Sequence, residues 1–305
     1  MMVDDVITLK KLQVLLTFME VNNLTRAAEL LDQSVVSVHR ALHSLEEGLR
    51  CPLFKRVGRN LVPLPAAYAF ANYSQRALAE VGNGVRKARE VAGFEAESLK
   101  LGSLYSLTLR CIPQLMVGLK NRKPDLHIDL TMGSNRELLQ GLDDGRLDAI
   151  VVGVRDNYQP GRYLSVPLFD DSLYLAAPTS SPYEGRGRID LGELREEKFV
   201  RLADGFVTAE SFDHAFEQAG YAPNIAVSVA DIFSLINLVS GGLGYSLLPG
   251  RVADFNPRMT LIDLAAPYAS FQRVTLLFAG NRERDPNLLA LAAECRMFKQ
   301  AAPAH

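Results

Sequence analysis

Residues 24–59, LTRAAELLDQSVVSVHRALHSLEEGLRCPLFKRVGR, admit very few folds. Asn23 is placed to cap a short helix that buries Ala27, Ala28, Leu30 and Leu31. After Asp32-Gln33, Ser34 is placed to cap a second helix whose apolar face is Val35, Val38, Leu42, Leu45 and Leu49. That spacing leaves Ser37, His39, Arg40, His43 and Ser44 on the free side, beside the capping Ser34. Short donors and a guanidinium near a helix N-terminus suit base edges and phosphates in a major groove. From Gly48 to Leu61 the cations Arg50, Lys55, Arg56 and Arg59 appear with no acid among them, a local excess that neutralises phosphate. Paired amphipathic helices alone are common in all-α domains. The order helix, short turn, helix, Pro-Leu-Phe and basic Gly-containing tip is what describes a winged helix-turn-helix. The candidate DNA-reading set is Ser34, Ser37, His39, Arg40, His43, Ser44, Lys55, Arg56 and Arg59.

Charge is divided to match. Residues 1–94 carry 12 Lys/Arg against 9 Asp/Glu, a net of +3, while residues 95–305 carry 21 against 26, a net of −5. The whole chain, 305 residues with 48% hydrophobic and 22% charged residues, is long enough for more than one domain and has an ordinary globular balance. Cys51, Cys111 and Cys295 are unclustered and odd in number, which argues against a disulfide framework or a zinc site and for a reducing cytoplasm. No apolar run reaches membrane-spanning length, and MMVDDVITLKK has no cationic segment followed by an apolar core, so the expected location is inside the cell.

Thr8 is positioned to cap a first, scaffolding helix with Leu9, Leu12, Leu15, Leu16 and Met19 along one face. From Leu64 the residues Leu64, Ala67, Ala71, Ser74, Leu78, Val81, Val85, Ala88 and Ala92 recur at steps of three and four, the seam of a coiled coil. The alternative is one amphipathic helix lying on its own domain. A dimerisation helix is the favoured reading, because two heads are needed to grip two half-sites.

Beyond Gly93 strands and helices alternate. Strands are expected at 99–103, 127–132, 148–152, 173–177, 199–202, 225–229, 245–248 and 274–279. Helices are expected at 107–119, 135–142, 208–219, 232–240 and 287–300. The pattern predicts βαβ units in two lobes, as in periplasmic solute-binding proteins, with a ligand in the cleft at strand C-terminal ends. The expected division is 1–63 for the winged helix-turn-helix, 64–93 for the linker helix and 94–305 for the two-lobed domain. Lobe I would hold about 98–166 and 270–305, and lobe II about 167–269.

Hydroxyls gather at the strand-to-helix junctions. Gly102-Ser103-Leu104-Tyr105-Ser106 follows the first strand and Gly133-Ser134-Asn135 the second. Free amides at a helix start together with a hydroxyl form an anion site. Ser134 with Glu137 three residues on also fits a capping box, and Asp231 a helix cap. In lobe II, Phe206 is a candidate cleft wall, and Thr208 either caps its helix or faces the ligand. The effector candidates are therefore Ser103, Tyr105, Ser106, Ser134, Asn135, Phe206 and Thr208, with Arg110 and Arg155 the cations nearest the expected mouth. Gly241-Gly242-Leu243-Gly244 precedes its strand, whereas a dinucleotide fingerprint follows one. No G-x-S-x-G, H-E-x-x-H, P-loop or metal-spaced Cys/His set occurs, so catalytic and metal residues are none.

The front end resembles the DNA-binding part of LysR-type transcriptional regulators. It carries Ala27-Ala28-Glu29-Leu30-Leu31, Leu45-Glu46-Glu47, Pro52-Leu53-Phe54 and Arg56-Val57-Gly58-Arg59. The family usually opens its recognition helix Gln-Pro-Ala-Val-Ser-Arg. Here Val35-Val36-Ser37-Val38-His39-Arg40 stands there, so Arg40 carries over while His39 replaces the usual serine. The resemblance covers essentially the full chain. The phrases SVHRALHSLEEGLRCPLF, GSLYSLTL, DLTMGSN, DIFSLINLVSGGLGYSLLPGR and RERDPNLLALAA are similar to the branch of the family that controls malonate-utilisation operons. It implies an α/β protein with an N-terminal all-α winged helix-turn-helix, a linker helix and a two-lobed effector domain. The implied function is a ligand-gated activator with no cofactor and with malonate or a related small dicarboxylate as effector. Its implied partners are a double-stranded DNA operator, further copies of itself as a homodimer or homotetramer through the linker helix, and RNA polymerase. The contrasting expectations are a LysR-type regulator responding to another small metabolite, a cytoplasmic solute-binding module without DNA specificity, and an enzyme with a two-lobed cleft.

Overall fold

A computed structural model of the chain describes residues 5–58, 60–92, 98–155 and 161–298. The chain forms two compact units, residues 1–93 and 94–305.

The first unit runs α1 (Leu9–Val21), α2 (Leu24–Leu30), α3 (Val35–Leu49), β1 (Phe54–Val57), β2 (Asn60–Pro63) and α4 (Pro65–Val91). Each of the first three helices starts where its cap is expected: the side chains of Thr8, Asn23 and Ser34 accept the backbone N–H of Lys11, Arg26 and Ser37. The buried stripe of α1 is turned from the expected one. Leu12, Val14, Leu15 and Phe18 face inward, whereas Leu9 is exposed. Phe18 sets that rotation by meeting Phe54 of β1 edge-on, with ring centroids 5.3 Å apart. Leu30 and Val35 are likewise exposed rather than buried, whereas Ala27, Ala28, Val38, Leu42 and Leu45 are buried in the core and the half-buried Leu31 and Leu49 pack against it. β1 and β2 form an antiparallel wing in which Val57 pairs with Asn60 and Gly58 takes φ +61°, a conformation that favours glycine.

The expected seam of α4 divides into two. Ala67 and Ser74 are buried, and Phe70, Ala71 and Leu78 pack on the core of their own unit. Val81, Val85, Ala88 and Ala92 are exposed, as are Tyr68 and Tyr73. The first half is thus an amphipathic helix lying on its own domain. Among the described residues, the second half contributes no side chain to the core of the first unit.

The second unit runs β3 (Ser98–Ser103), α5 (Cys111–Arg122), β4 (His127–Met132), α6 (Asn135–Asp143), β5 (Ala149–Arg155), β6 (Tyr163–Pro178), β7 (Arg188–Ile189), β8 (Lys198–Leu202), α7 (Val207–Ala219), β9 (Asn224–Val229), α8 (Ile232–Ser240), β10 (Ser246–Pro249), β11 (Met259–Leu264), β12 (Phe271–Ala279) and α9 (Pro286–Met297). β4, β3 and β5 are parallel neighbours, followed by β12 antiparallel to β5. The run Ala149 to Val154 is buried throughout, the mark of a parallel strand covered on both faces. Together with α5 and α9 these strands enclose one core, while β10, β11, α7 and α8 enclose two further clusters in the other lobe.

Two expected elements differ. The expected strand 173–177 is the second half of a single sixteen-residue β6, whose first half pairs with β12 and whose second half pairs with β10 and β11. The expected helix 107–119 is broken at Arg110 (φ −141°), giving a short 3-10 turn over Tyr105–Leu109 before α5 begins at Cys111. Tyr105 and Leu109 of that turn, leaving lobe I, pack against the core of lobe II. α9 ends at Met297, and residues 299–300 of the expected final helix lie outside the described residues.

Candidate nucleic-acid interface and effector cleft

On α3, burial of Val38, Leu42 and Leu45 turns Ser37, His39, Arg40 and His43 to solvent. Ser34 Oγ lies 2.8 Å from Ser37 Oγ as well as capping the helix. Arg40, Lys55 and Arg56 are exposed and make no ion pair or hydrogen bond within the described residues, whereas Arg26 is held by Glu29 at 3.0 Å. Unpaired guanidinium and ammonium groups are what gripping a phosphate requires. Arg59 lies outside the described residues. Ser44 sits differently from the others: it is half-buried, and its Oγ accepts from Lys11 Nζ at 2.8 Å. Val36 is an addition that the sequence pattern did not single out. It is two-thirds exposed in the first turn of α3, a place where a methyl-bearing side chain suits a thymine methyl, and its position off the apolar stripe was the available signal.

Helix and wing are joined by Glu46. Its Oε1 accepts the backbone N–H of Leu53 at 2.8 Å and of Phe54 at 3.0 Å, and its Oε2 stands 3.7 Å from His43 Nδ1. The two N–H groups belong to a buried segment with no strand partner on that side, so the carboxylate satisfies donors that would otherwise be orphaned.

In the second unit, Ser103, Ser106, Ser134, Asn135, Phe206 and Thr208 are all buried and Tyr105 is half-buried. Two of the hydroxyls are used locally. Ser134 forms the capping box of α6 with Glu137, giving its proton to Glu137 Oε2 at 2.8 Å, and Ser103 Oγ donates to Leu104 O at 3.1 Å. The Ser134 amide and hydroxyl hold the Glu137 carboxyl below its ordinary value. Asn135 clasps the lobes: Nδ2 donates to Gly153 O at 2.7 Å in lobe I, and Oδ1 accepts from Val207 N at 3.1 Å in lobe II. Arg136 N donates to Gly205 O at 3.1 Å alongside, and Gly205 has φ +103° with Arg136 Cβ 3.3 Å from where its own Cβ would stand. Phe206 occupies the N-cap position of α7 without a side-chain cap, and Thr208 is one residue inside the helix.

The cation at this site is Arg251, which lies in the turn after β10. Its side chain is 6% exposed, Nη1 donates to Asp171 Oδ2 at 2.9 Å, and Nε donates to Ser106 Oγ at 2.8 Å. Both Nη atoms lie 3.4 Å from Gln272 Oε1, and Gln272 Nε2 donates to Thr208 Oγ1 at 3.0 Å. Of the expected cations, Arg110 lines the same cavity as Arg251 while paired with Asp254, and Arg155 stands at the half-exposed end of β5. Only Ser106 of the effector candidates lines the cavity of about 230 Å³ that Arg110, Asp171, Tyr174, Arg251 and Phe298 enclose. Asp231 caps α8 by accepting from Phe233 N and Ser234 N, which hold its carboxyl below the ordinary range. Among the described residues no group of three His, Cys, Asp or Glu could hold a metal, and no helix is long and apolar enough to cross a membrane.

Residues 9–68 match the bacterial regulatory helix-turn-helix proteins of the lysR family, and residues 92–299 match the LysR substrate binding domain. The chain is 44% identical over 305 residues to the malonate utilization transcriptional regulator of Klebsiella pneumoniae, covering 98% of this chain and 99% of that one. It is 27% identical to the transcriptional dual regulator GltC of Bacillus subtilis, covering 82% and 84%. Among solved structures, full-length OxyR from Pseudomonas aeruginosa superposes with a TM-score of 0.69 at 22% identity, covering 97% of each chain. CbnR in complex with its target DNA superposes with a TM-score of 0.68 at 21% identity, covering 96% of this chain and 100% of that one.

Proposed function

The chain belongs to the LysR family of transcriptional regulators, and on that premise we propose that it activates malonate-utilisation genes, with malonate or a closely related small dicarboxylate as the effector. The observation that carries this reading is the 44% identity along nearly the whole chain to the Klebsiella regulator, which spans the cleft as well as the DNA-reading end. The chemistry of the cleft is compatible with it, since Ser106 accepts from the Asp171-paired Arg251 and keeps its own proton for an acceptor oxygen. In this reading α3 enters the major groove, with Arg40 and His39 at base edges, and the wing's Lys55 and Arg56 hold phosphates. Two copies pair through the exposed second half of α4 around Val81, Val85 and Ala88, in a homodimer or homotetramer that works in the cytoplasm and communicates with RNA polymerase. Effector binding shifts the population of lobe arrangements, and the shift reaches the operator through α4.

Calorimetric titration of the full chain with malonate, succinate and oxalate tests the effector, alongside a gel shift on the promoter upstream of malonate-utilisation genes. Malonate bound at least tenfold more tightly than the others, with a malonate-dependent change in the shifted complex, is the expected result. Equal or absent malonate binding removes malonate from the reading.

A further inference from the structure

Of the five histidines only His39 and His43 stand four residues apart, and both lie on α3. On a helix that spacing puts two side chains on one face, with Cβ atoms about 5–6 Å apart. Both are exposed, while their neighbours Val38 and Leu42 are buried. His39 makes no hydrogen bond or ion pair among the described residues. His43 is oriented from behind: its Nδ1 stands 3.7 Å from Glu46 Oε2, and the other oxygen of Glu46 is held by the backbone N–H groups of Leu53 and Phe54. A fixed carboxylate on that side favours the tautomer with the proton on Nδ1, which leaves the Nε2 lone pair for a partner. Helical side chains lean toward the N-terminus, so that lone pair lies on the side of His39. Two imidazoles one helical turn apart, one of them backed by a carboxylate, make a chelate for a first-row divalent metal ion.

We propose that His39 and His43 form an open two-imidazole site for a borderline divalent cation such as Zn²⁺ or Ni²⁺, and that this ion and the operator exclude one another on α3. Imidazole suits these ions, whereas Mg²⁺ takes oxygen ligands. Among the described residues no third His, Cys, Asp or Glu completes the site, so water fills the remaining positions and the ion exchanges freely. The binding itself stands on the helix geometry, and its consequence rests on the reading of α3 as the groove-reading helix. An ion about 2.0–2.1 Å from each Nε2 uses the lone pairs of both rings. Its waters then stand where base edges would have to come within hydrogen-bond reach. The family usually has serine where His39 stands, which would leave a single imidazole, so the site is a property of this chain and not of the family pattern.

The test is calorimetric titration of the full chain with Zn²⁺, Ni²⁺ and Mg²⁺, carried out on Cys51→Ser so that the exposed thiol does not compete. One Zn²⁺ or Ni²⁺ per protomer and no Mg²⁺ is the expected result. His39→Ser and His43→Asn, added singly with thermal melts to report folding, are each expected to weaken the binding about tenfold or more. No Zn²⁺ or Ni²⁺ binding, or binding that both variants leave unchanged, overturns the site. Gel shifts on the promoter fragment, with the metal at ten times its Kd and again with a chelator, test the exclusion. Competition predicts operator affinity about tenfold weaker with the metal, and His39→Ser should bring that ratio close to one whatever its own operator affinity. Equal or tighter operator binding with the metal overturns the exclusion. Should the chain bind no operator at all, the DNA reading fails on its own and the calorimetry still decides the metal site.

Discussion

Leu53 gives its backbone N–H to Glu46 Oε1 at 2.8 Å, and that bond ties the last turn of the recognition helix to the first strand of the wing. Phe54 does the same at 3.0 Å while its ring rests on Phe18, so one carboxylate fixes the angle between α3 and the wing. Glu46→Ala should destabilise the first unit by about 1.5–3 kcal/mol, the range for hydrogen bonds to a charged group. Operator affinity should fall, and its log–log salt dependence should become shallower by roughly 0.9 for each phosphate that the displaced wing no longer grips. Binding isotherms across a salt series check this, with effector affinity unchanged as the control.

Arg40 lies on the exposed face of α3 with no ion pair or hydrogen bond among the described residues. Arg40→Ala should weaken operator binding by about 1–3 kcal/mol and relax base preference at one position of each half-site. Competition gel shifts with single-base operator variants measure it, and an unaltered preference would remove Arg40 from the base-reading set.

The Ser134 amide and hydroxyl depress the Glu137 carboxyl below its ordinary value of 4.5. A depressed acid contributes stability above its unfolded value and loses it as the pH falls through the lower folded one. The stability gap between the wild type and Glu137→Gln should therefore be present above pH 4.5 and close as acid is added below it. Its expected size at neutral pH is about 0.5–1 kcal/mol, the range for a capping interaction. Urea midpoints measured from about pH 3 to 7 report the gap.

Burial pushes the Cys111 thiol up to about 12, and burial also raises Cys295, whereas Cys51 is exposed. A thiol reacts as its thiolate, so a native thiol titration at about pH 8 should find one fast equivalent, with Cys111 and Cys295 reacting only after denaturation. Cys51→Ser should abolish the fast phase.

Arg282 is buried between Asp148 at 2.6 Å and Asp285, which caps α9, and so holds that helix against β3 and β5. Arg282→Ala leaves two buried carboxylates without their cation and should destabilise the second unit by about 3–5 kcal/mol. Thermal unfolding of the second unit measures the loss.

The helix-turn-helix was legible because capping and apolar spacing act over a few residues. The signals at Thr8, Asn23, Ser34, Ser134 and Asp231 all lead to the helices they foretell. What the local pattern could not supply was rotation and partnership. Phe18 faces inward because Phe54, thirty-six positions away, waits for it, and Ser44 turns from the groove because Lys11 reaches it. Arg251 escaped notice for the same reason. It follows a strand in an ordinary Pro-Gly-Arg turn, and its role depends on Asp171, Ser106 and Gln272, which only the folded sheet gathers. Only half of β6 is legible because its middle, Phe169-Asp170-Asp171-Ser172, reads as polar punctuation, yet Asp171 there is buried by its cation.

That unbroken strand limits what the effector domain can do mechanically. A rod sixteen residues long is hydrogen-bonded into one lobe at its first end and into the other at its second, so the halves share a spar instead of a tether. Because both lobes are hydrogen-bonded along the same strand, their relative motion is expected to be a rotation about it rather than a wide opening.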